Sequence, residues 1–74
     1  MKRVVTVLTI AGSDCSGGAG LQADIKTISA LGGYAASVVT AVTVQNTRGV
    51  ESFVPMSADV VAAQIRAVID DLQP

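Results

Sequence analysis

Gly17, Gly18 and Gly20 follow Ser13, Asp14, Cys15 and Ser16 directly, between an apolar run that ends at Ala11 and a periodic stretch that begins near Ala19. Backbone without Cβ atoms can approach a ligand closely, and the first amides of a following helix favour an anion or a polar group. Spacing sorts the chemistries such a loop could perform. A phosphate-binding P-loop needs a lysine after its last glycine, and Leu21 follows Gly20 here. The segment Gly18 to Ala23 fits the relaxed dinucleotide pattern G-x-G-x-x-A, but that fingerprint also needs an acid at the end of the next strand, where Val44, Gln45 and Asn46 stand. A bare strand-to-helix turn, in which glycines only relieve strain, is the alternative.

Other polar residues gather around that loop. Gln45 ends the second β-branched run, on the side of the sheet where α/β proteins bind ligands. Its primary amide places a donor beside an acceptor, which complements a ring nitrogen next to an exocyclic amine, the edge of an aminopyrimidine. A loop glutamine bonding to backbone is the alternative. Asp24, one helical turn beyond Gly20, either reaches the ligand or decorates the helix start. Asp14 serves the site or caps a turn. Cys15 has no histidine anywhere in the chain to activate it. A small residue in a tight loop is the better reading of it, and no cluster has metal-ligand spacing.

Elements that would hold these residues follow from periodicity. Arg3 to Ala11 reads as a strand buried on both sides at its end, and Leu21, Ile25, Ile28 and Leu31 predict a helix from Ala19 to Leu31, stopped by Gly32-Gly33. Ala35 to Val44 predicts a second strand, so the first half is a parallel, right-handed β-α-β unit. Gln45 to Gly49 reads as a polar loop and Val50 to Pro55 as a short third strand, confined by Pro55 to an edge or an end. Ser57 is an expected N-cap, and Val61, Ile65, Val68 and Leu72 an expected buried stripe, with Arg66, Asp70 and Asp71 on the wet side.

Composition narrows the class. Half of the 74 residues are apolar, yet there is one Phe, one Tyr and no Trp, so aliphatic side chains carry the packing. A net charge of −1 gives no basic footprint for nucleic acid and no cationic face for a membrane, and no apolar run reaches spanning length. The Met1-Lys2-Arg3 start lacks a cleavage context, and a single cysteine fits a reducing cytoplasm. A helix ending at Leu72-Gln73-Pro74 should feed another strand. Two helices and three strands cover a parallel sheet poorly, so the expectation is an incomplete domain or one that needs a partner, a second copy included.

Two long segments carry a family resemblance. Ala11-Gly12-Ser13-Asp14, followed after Cys15 by Ser16 through Thr27, closely resembles the opening of the hydroxymethylpyrimidine/phosphomethylpyrimidine kinases of thiamin biosynthesis. Thr40 through Val50, with Gln45 at its centre, resembles the same family in order and spacing. The resemblance implies a ribokinase-like fold, a central and mainly parallel sheet with helices on both faces. This chain would be its amino-terminal part, residues 1–74 of a single kinase domain. It implies transfer of the ATP γ-phosphate to the hydroxymethyl group of the aminopyrimidine and then to the monophosphate, with ATP and Mg²⁺ as cofactors.

Carried over by position, Gln45 matches the pyrimidine-binding glutamine, while Gly12, Ala19, Asp24 and Thr43 fall on positions lining the same pocket. The family's glycine-rich Gly-Thr-Gly-Cys anion hole and its ATP and Mg²⁺ contacts have no counterpart in these residues. No catalytic residue is therefore expected in this chain, nor kinase activity from it alone. A kinase of B6 vitamers with a similar opening, and a non-catalytic module that binds a small molecule or pairs through its sheet edge, are the competing readings.

Overall fold

The computed structural model describes residues 4–74. Five elements follow in the order β1 (Thr6–Asp14), α1 (Gly20–Ala30), β2 (Tyr34–Asn46), β3 (Gly49–Pro55) and α2 (Ala58–Leu72). They form one mixed sheet in the order β1-β2-β3, with β1 and β2 parallel and β2 and β3 antiparallel. The chain measures 45 × 29 × 9 Å along its principal axes. α1 packs on β1 and β2, and α2 on β2.

Each element has a local cause. β1 starts at Thr6 and carries on three residues past the expected end at Ala11, because Ser13 and Asp14 keep pairing with Val42 and Thr43. Arg3, the expected start, lies outside the described residues. α1 ends in a Schellman arrangement: Gly32 takes φ +86°, its N–H donates to Ser29 O, and the Gly33 N–H donates to Ile28 O. Ser57 caps α2, its hydroxyl accepting from Val60 N at 3.2 Å. That bond contributes about 1 kcal/mol.

Three expectations need correction. Gln45 and Asn46 belong to β2 rather than to a loop, because β3 folds back antiparallel and pairs Gln45 with Val50 and Asn46 with Gly49. Only Thr47 and Arg48 are left as the turn. β1 is not buried on both sides: Thr9 and Asp14 are its buried residues, while Ile10 is 51% exposed, since β1 is an edge strand. α2 buries no residue fully, and Leu72 is exposed where a buried stripe was expected. Val61, Ile65 and Val68 are half-buried, joined by Gln64. The Gln64 amide accepts from Val39 N at 2.9 Å and donates to Val39 O at 3.0 Å, replacing a strand neighbour beyond the end of β3.

One irregularity governs the site. Ala11 pairs with Val39 but Ser13 with Val42, so β2 carries an extra residue opposite Gly12. Before this bulge the covered residues of β2 are Ala36 and Val38. After it Thr43 and Gln45 are the more covered, and Val42 and Val44 the exposed ones. Across the bulge the covered positions of β2 change from even to odd.

Candidate functional site

The loop between β1 and α1 is organised around a charge of its own. Asp14 is buried and its carboxylate accepts four hydrogen bonds: from Ser16 N at 2.8 Å, Ser16 Oγ at 2.6 Å, Gly18 N at 3.0 Å and Ala19 N at 2.7 Å. The Ser16 hydroxyl is the main reason that its pKa lies below the ordinary carboxylate value. Burial opposes the shift, and the backbone amides of Ser16, Ala19 and Gly18 add to it. Gln22 Oε1 accepts from Asp14 N at 2.8 Å, and Lys26 Nζ donates to Gly17 O at 2.8 Å, so α1 clamps the loop from above. The amides of Gly18 and Ala19 thus hold Asp14 and are not free to take a phosphate.

Glycine is needed at position 20 for geometry. Gly20 has φ +58°, and a Cβ there would overlap the Gly12 carbonyl oxygen. The start of α1 lies against the Gly12 backbone at the end of β1 because Gly20 has no side chain. Gly12 faces Thr40 and Ala41, the two residues of the bulge. Ala19 is the N-cap of α1, with no side-chain hydrogen bond to the helix.

Gln45 sits against this loop, as expected from the parallel strands, and Cys15 makes the contact. The Cys15 thiol donates to Gln45 O at 3.0 Å, and Gln45 N points at the same sulfur at 3.4 Å. Thr43, two residues earlier on the same face, hydrogen-bonds to the Ser13 carbonyl and lies 2.6 Å from Gln45 Oε1. Ser13 Oγ in turn accepts from Thr43 N at 3.4 Å. Gln45, Thr43, Ser13 and Cys15 therefore form one cluster at the carboxyl ends of β1 and β2, next to Gly12 and Ala19. Ser13 and Cys15 were not singled out for this role in the sequence, where nothing marks their register with β2.

Asp24 is directed elsewhere. Its carboxylate accepts from the buried Thr9 hydroxyl at 2.5 Å, in a groove between α1 and β1 lined by Val7, Leu8, Ile10, Thr27 and Ile28. In this arrangement it ties the helix to the strand. Among the described residues no three His, Cys, Asp or Glu side chains gather where they could hold a metal ion. No described helix is long and apolar enough to cross a membrane.

The polar cluster lies at the carboxyl ends of adjacent parallel strands, beside a glycine-rich turn into a helix, which is where α/β proteins place their small-molecule sites. The sequence pattern of phosphomethylpyrimidine kinase matches residues 14–74. The hydroxymethylpyrimidine/phosphomethylpyrimidine kinase of Rhizobium meliloti is 63% identical over 65 residues, which cover 88% of this chain and 24% of that protein. The enzyme of the same name from Escherichia coli is 58% identical over 73 residues, 99% of this chain and 27% of that one. A crystal structure of phosphomethylpyrimidine kinase from Clostridium difficile superposes with a TM-score of 0.87 at 53% identity, covering 92% of this chain and 31% of that one. Pyridoxal kinase from Staphylococcus aureus, solved with AMP-PCP and pyridoxal, gives 0.82 at 36% identity over 93% of this chain and 26% of that one. The fold is the ribokinase-like one of these vitamin kinases. The chain belongs to the phosphomethylpyrimidine kinase family, and it spans about a quarter of the length of the curated relatives it matches.

Proposed function

We propose that this chain is the acceptor-substrate part of an ATP-dependent kinase that phosphorylates 4-amino-5-hydroxymethyl-2-methylpyrimidine and its monophosphate. The observation that carries the reading is the position of Gln45. Its backbone is gripped by Cys15 and its amide lies against Thr43, on the covered side of β2, where an aminopyrimidine edge would meet a donor and an acceptor together. Gly12 and Ala19 line the approach to the ring, and Thr43 backs the glutamine. Asp24, held by the Thr9 hydroxyl, braces the start of α1 against β1.

The loop amides support the division of labour. Asp14 neutralises the anion-binding potential of Gly18 and Ala19, which suits a loop facing a neutral alcohol better than one holding triphosphate. ATP, Mg²⁺ and the anion hole for the transferring phosphoryl group belong, in this reading, to the remainder of the kinase domain, of which residues 1–74 are the opening. The reaction runs in the cytoplasm, where a single exposed thiol stays reduced.

Replacing Gln45 by Ala in the full-length kinase tests the reading. The expected outcome is a KM for the pyrimidine alcohol raised about tenfold or more with kcat changed far less, because the amide binds ground state and transition state alike. An unchanged KM would remove the basis of the proposal. A B6-vitamer kinase is the second reading, favoured by the likeness to pyridoxal kinase. The higher identity to the pyrimidine kinases ranks it lower, and turnover of the two alcohols side by side decides between them.

A further inference from the structure

The Thr43 hydroxyl touches two oxygens at once, the Ser13 carbonyl and Gln45 Oε1. It has one proton to give. A carbonyl can only accept, so sending that proton to Gln45 would leave lone pairs of Thr43 and Ser13 opposed to each other. Every group is satisfied when Thr43 donates to Ser13 and the Gln45 amide presents nitrogen, not oxygen, to Thr43 Oγ1. The two ends of a glutamine amide are told apart by such networks.

We infer that Thr43 is a positioning residue that fixes the order of donor and acceptor along the Gln45 amide edge, and through it the heterocycle edge the site accepts. The inference rests on the pyrimidine-kinase reading of Gln45. One N–H of the amide is committed to Thr43, and the remaining N–H and the carbonyl form the free edge. A 4-aminopyrimidine offers a ring-nitrogen acceptor beside an amine donor. Its 4-oxo analogue offers an N–H donor beside a carbonyl acceptor, the reverse order. An amide held by Thr43 takes one order and leaves unpaired groups with the other. An amide free to turn takes either. Cys15, by holding the Gln45 backbone on both its N–H and its carbonyl, keeps the side chain in reach of Thr43.

The test uses the full-length kinase carrying Thr43→Val, Thr43→Ala, Thr43→Ser or Gln45→Ala, with KM, kcat and the inhibition constant of the 4-oxo analogue measured for each. In Thr43→Val the preference for the 4-amino over the 4-oxo ring should fall about tenfold with kcat little changed, and Thr43→Ser should restore it. Thr43→Ala removes the same hydroxyl with no demand on shape, and gives the same result should the valine variant not fold. If both hydroxyl-free variants keep the wild-type preference while Gln45→Ala raises KM, the positioning role is wrong and the kinase reading stands. If Gln45→Ala leaves KM unchanged as well, both fall.

Discussion

Asp14 is the residue on which the glycine loop depends. With its carboxylate ionised it accepts from two backbone amides of the turn into α1, from Ser16 N and from the Ser16 hydroxyl. Its pKa is held below the ordinary value of 3.8, so the folded state binds its proton less readily than the unfolded chain. The stabilisation is complete above that ordinary value and disappears as pH falls through the lower folded pKa. We expect Asp14→Asn to loosen the loop at neutral pH and to flatten the acid limb of a stability-against-pH curve, read by denaturant titration at a series of pH values. An acid limb as steep as that of the wild type would show that the carboxylate is not the group responsible. The place of Gln45 beside the glycine loop was legible from the direction of the parallel strands. The tie between Cys15 and Gln45 was not, because it depends on strand register and not on sequence neighbours.

At the scale of elements, two junctions set the geometry. The first is the contact of α1 with β1 through Gly20 and Gly12. Gly20→Ala adds a Cβ at positive φ and drives it into the Gly12 carbonyl. Left-handed strain together with overpacking gives an expected loss of ~2–5 kcal/mol in denaturant unfolding. A loss below 1 kcal/mol, on the order of an ordinary surface change, would mean that the helix start can shift freely. The second junction is Gln64, whose amide replaces a missing strand neighbour for Val39. Gln64→Leu keeps the bulk on α2 but leaves a backbone N–H and C=O without their partner, so we expect a cost of about 1–3 kcal/mol. Hydrogen exchange at the Val39 amide should accelerate in that variant, and unchanged protection would contradict the assignment. The Gly32-Gly33 stop and the Ser57 cap were readable in advance, since both act within a single turn. Gln64 was not, because a polar residue among half-buried positions shows its purpose only when a strand edge lies opposite.

At the scale of the whole molecule the chain is poorly covered. Among the described residues Val38, Leu21 and Ala36 are the buried apolar ones, whereas Phe53, Val54, Tyr34 and Leu31 are more than half exposed. The radius of gyration, 13.4 Å, exceeds the roughly 11 Å expected of a compact domain of this length. We expect the isolated chain to self-associate or to melt without a sharp transition, and to form no ADP from ATP and the pyrimidine alcohol. Sedimentation, calorimetry and a coupled ADP assay check this, and a monomer with a cooperative melt would refute it.

Local rules were enough to locate the five elements, the parallel pairing of the first two strands and Gln45 as the residue to watch. Helical period, β-branched runs, a glycine stop and a serine cap act over a few residues and leave their pattern in the chain. The antiparallel return of β3, the exposure of Leu72 and the direction of Asp24 needed distant partners to be in place, whereas Asp14 caps its own turn through Ser16, Gly18 and Ala19. The bulge opposite Gly12 is the clearest case. Ala36 and Val38 are the covered residues of β2 before it and Thr43 and Gln45 the more covered ones after it, and the extra residue that marks the change shows only in the register against β1. A strand's side-chain period is local, but its phase is set by the neighbour it pairs with.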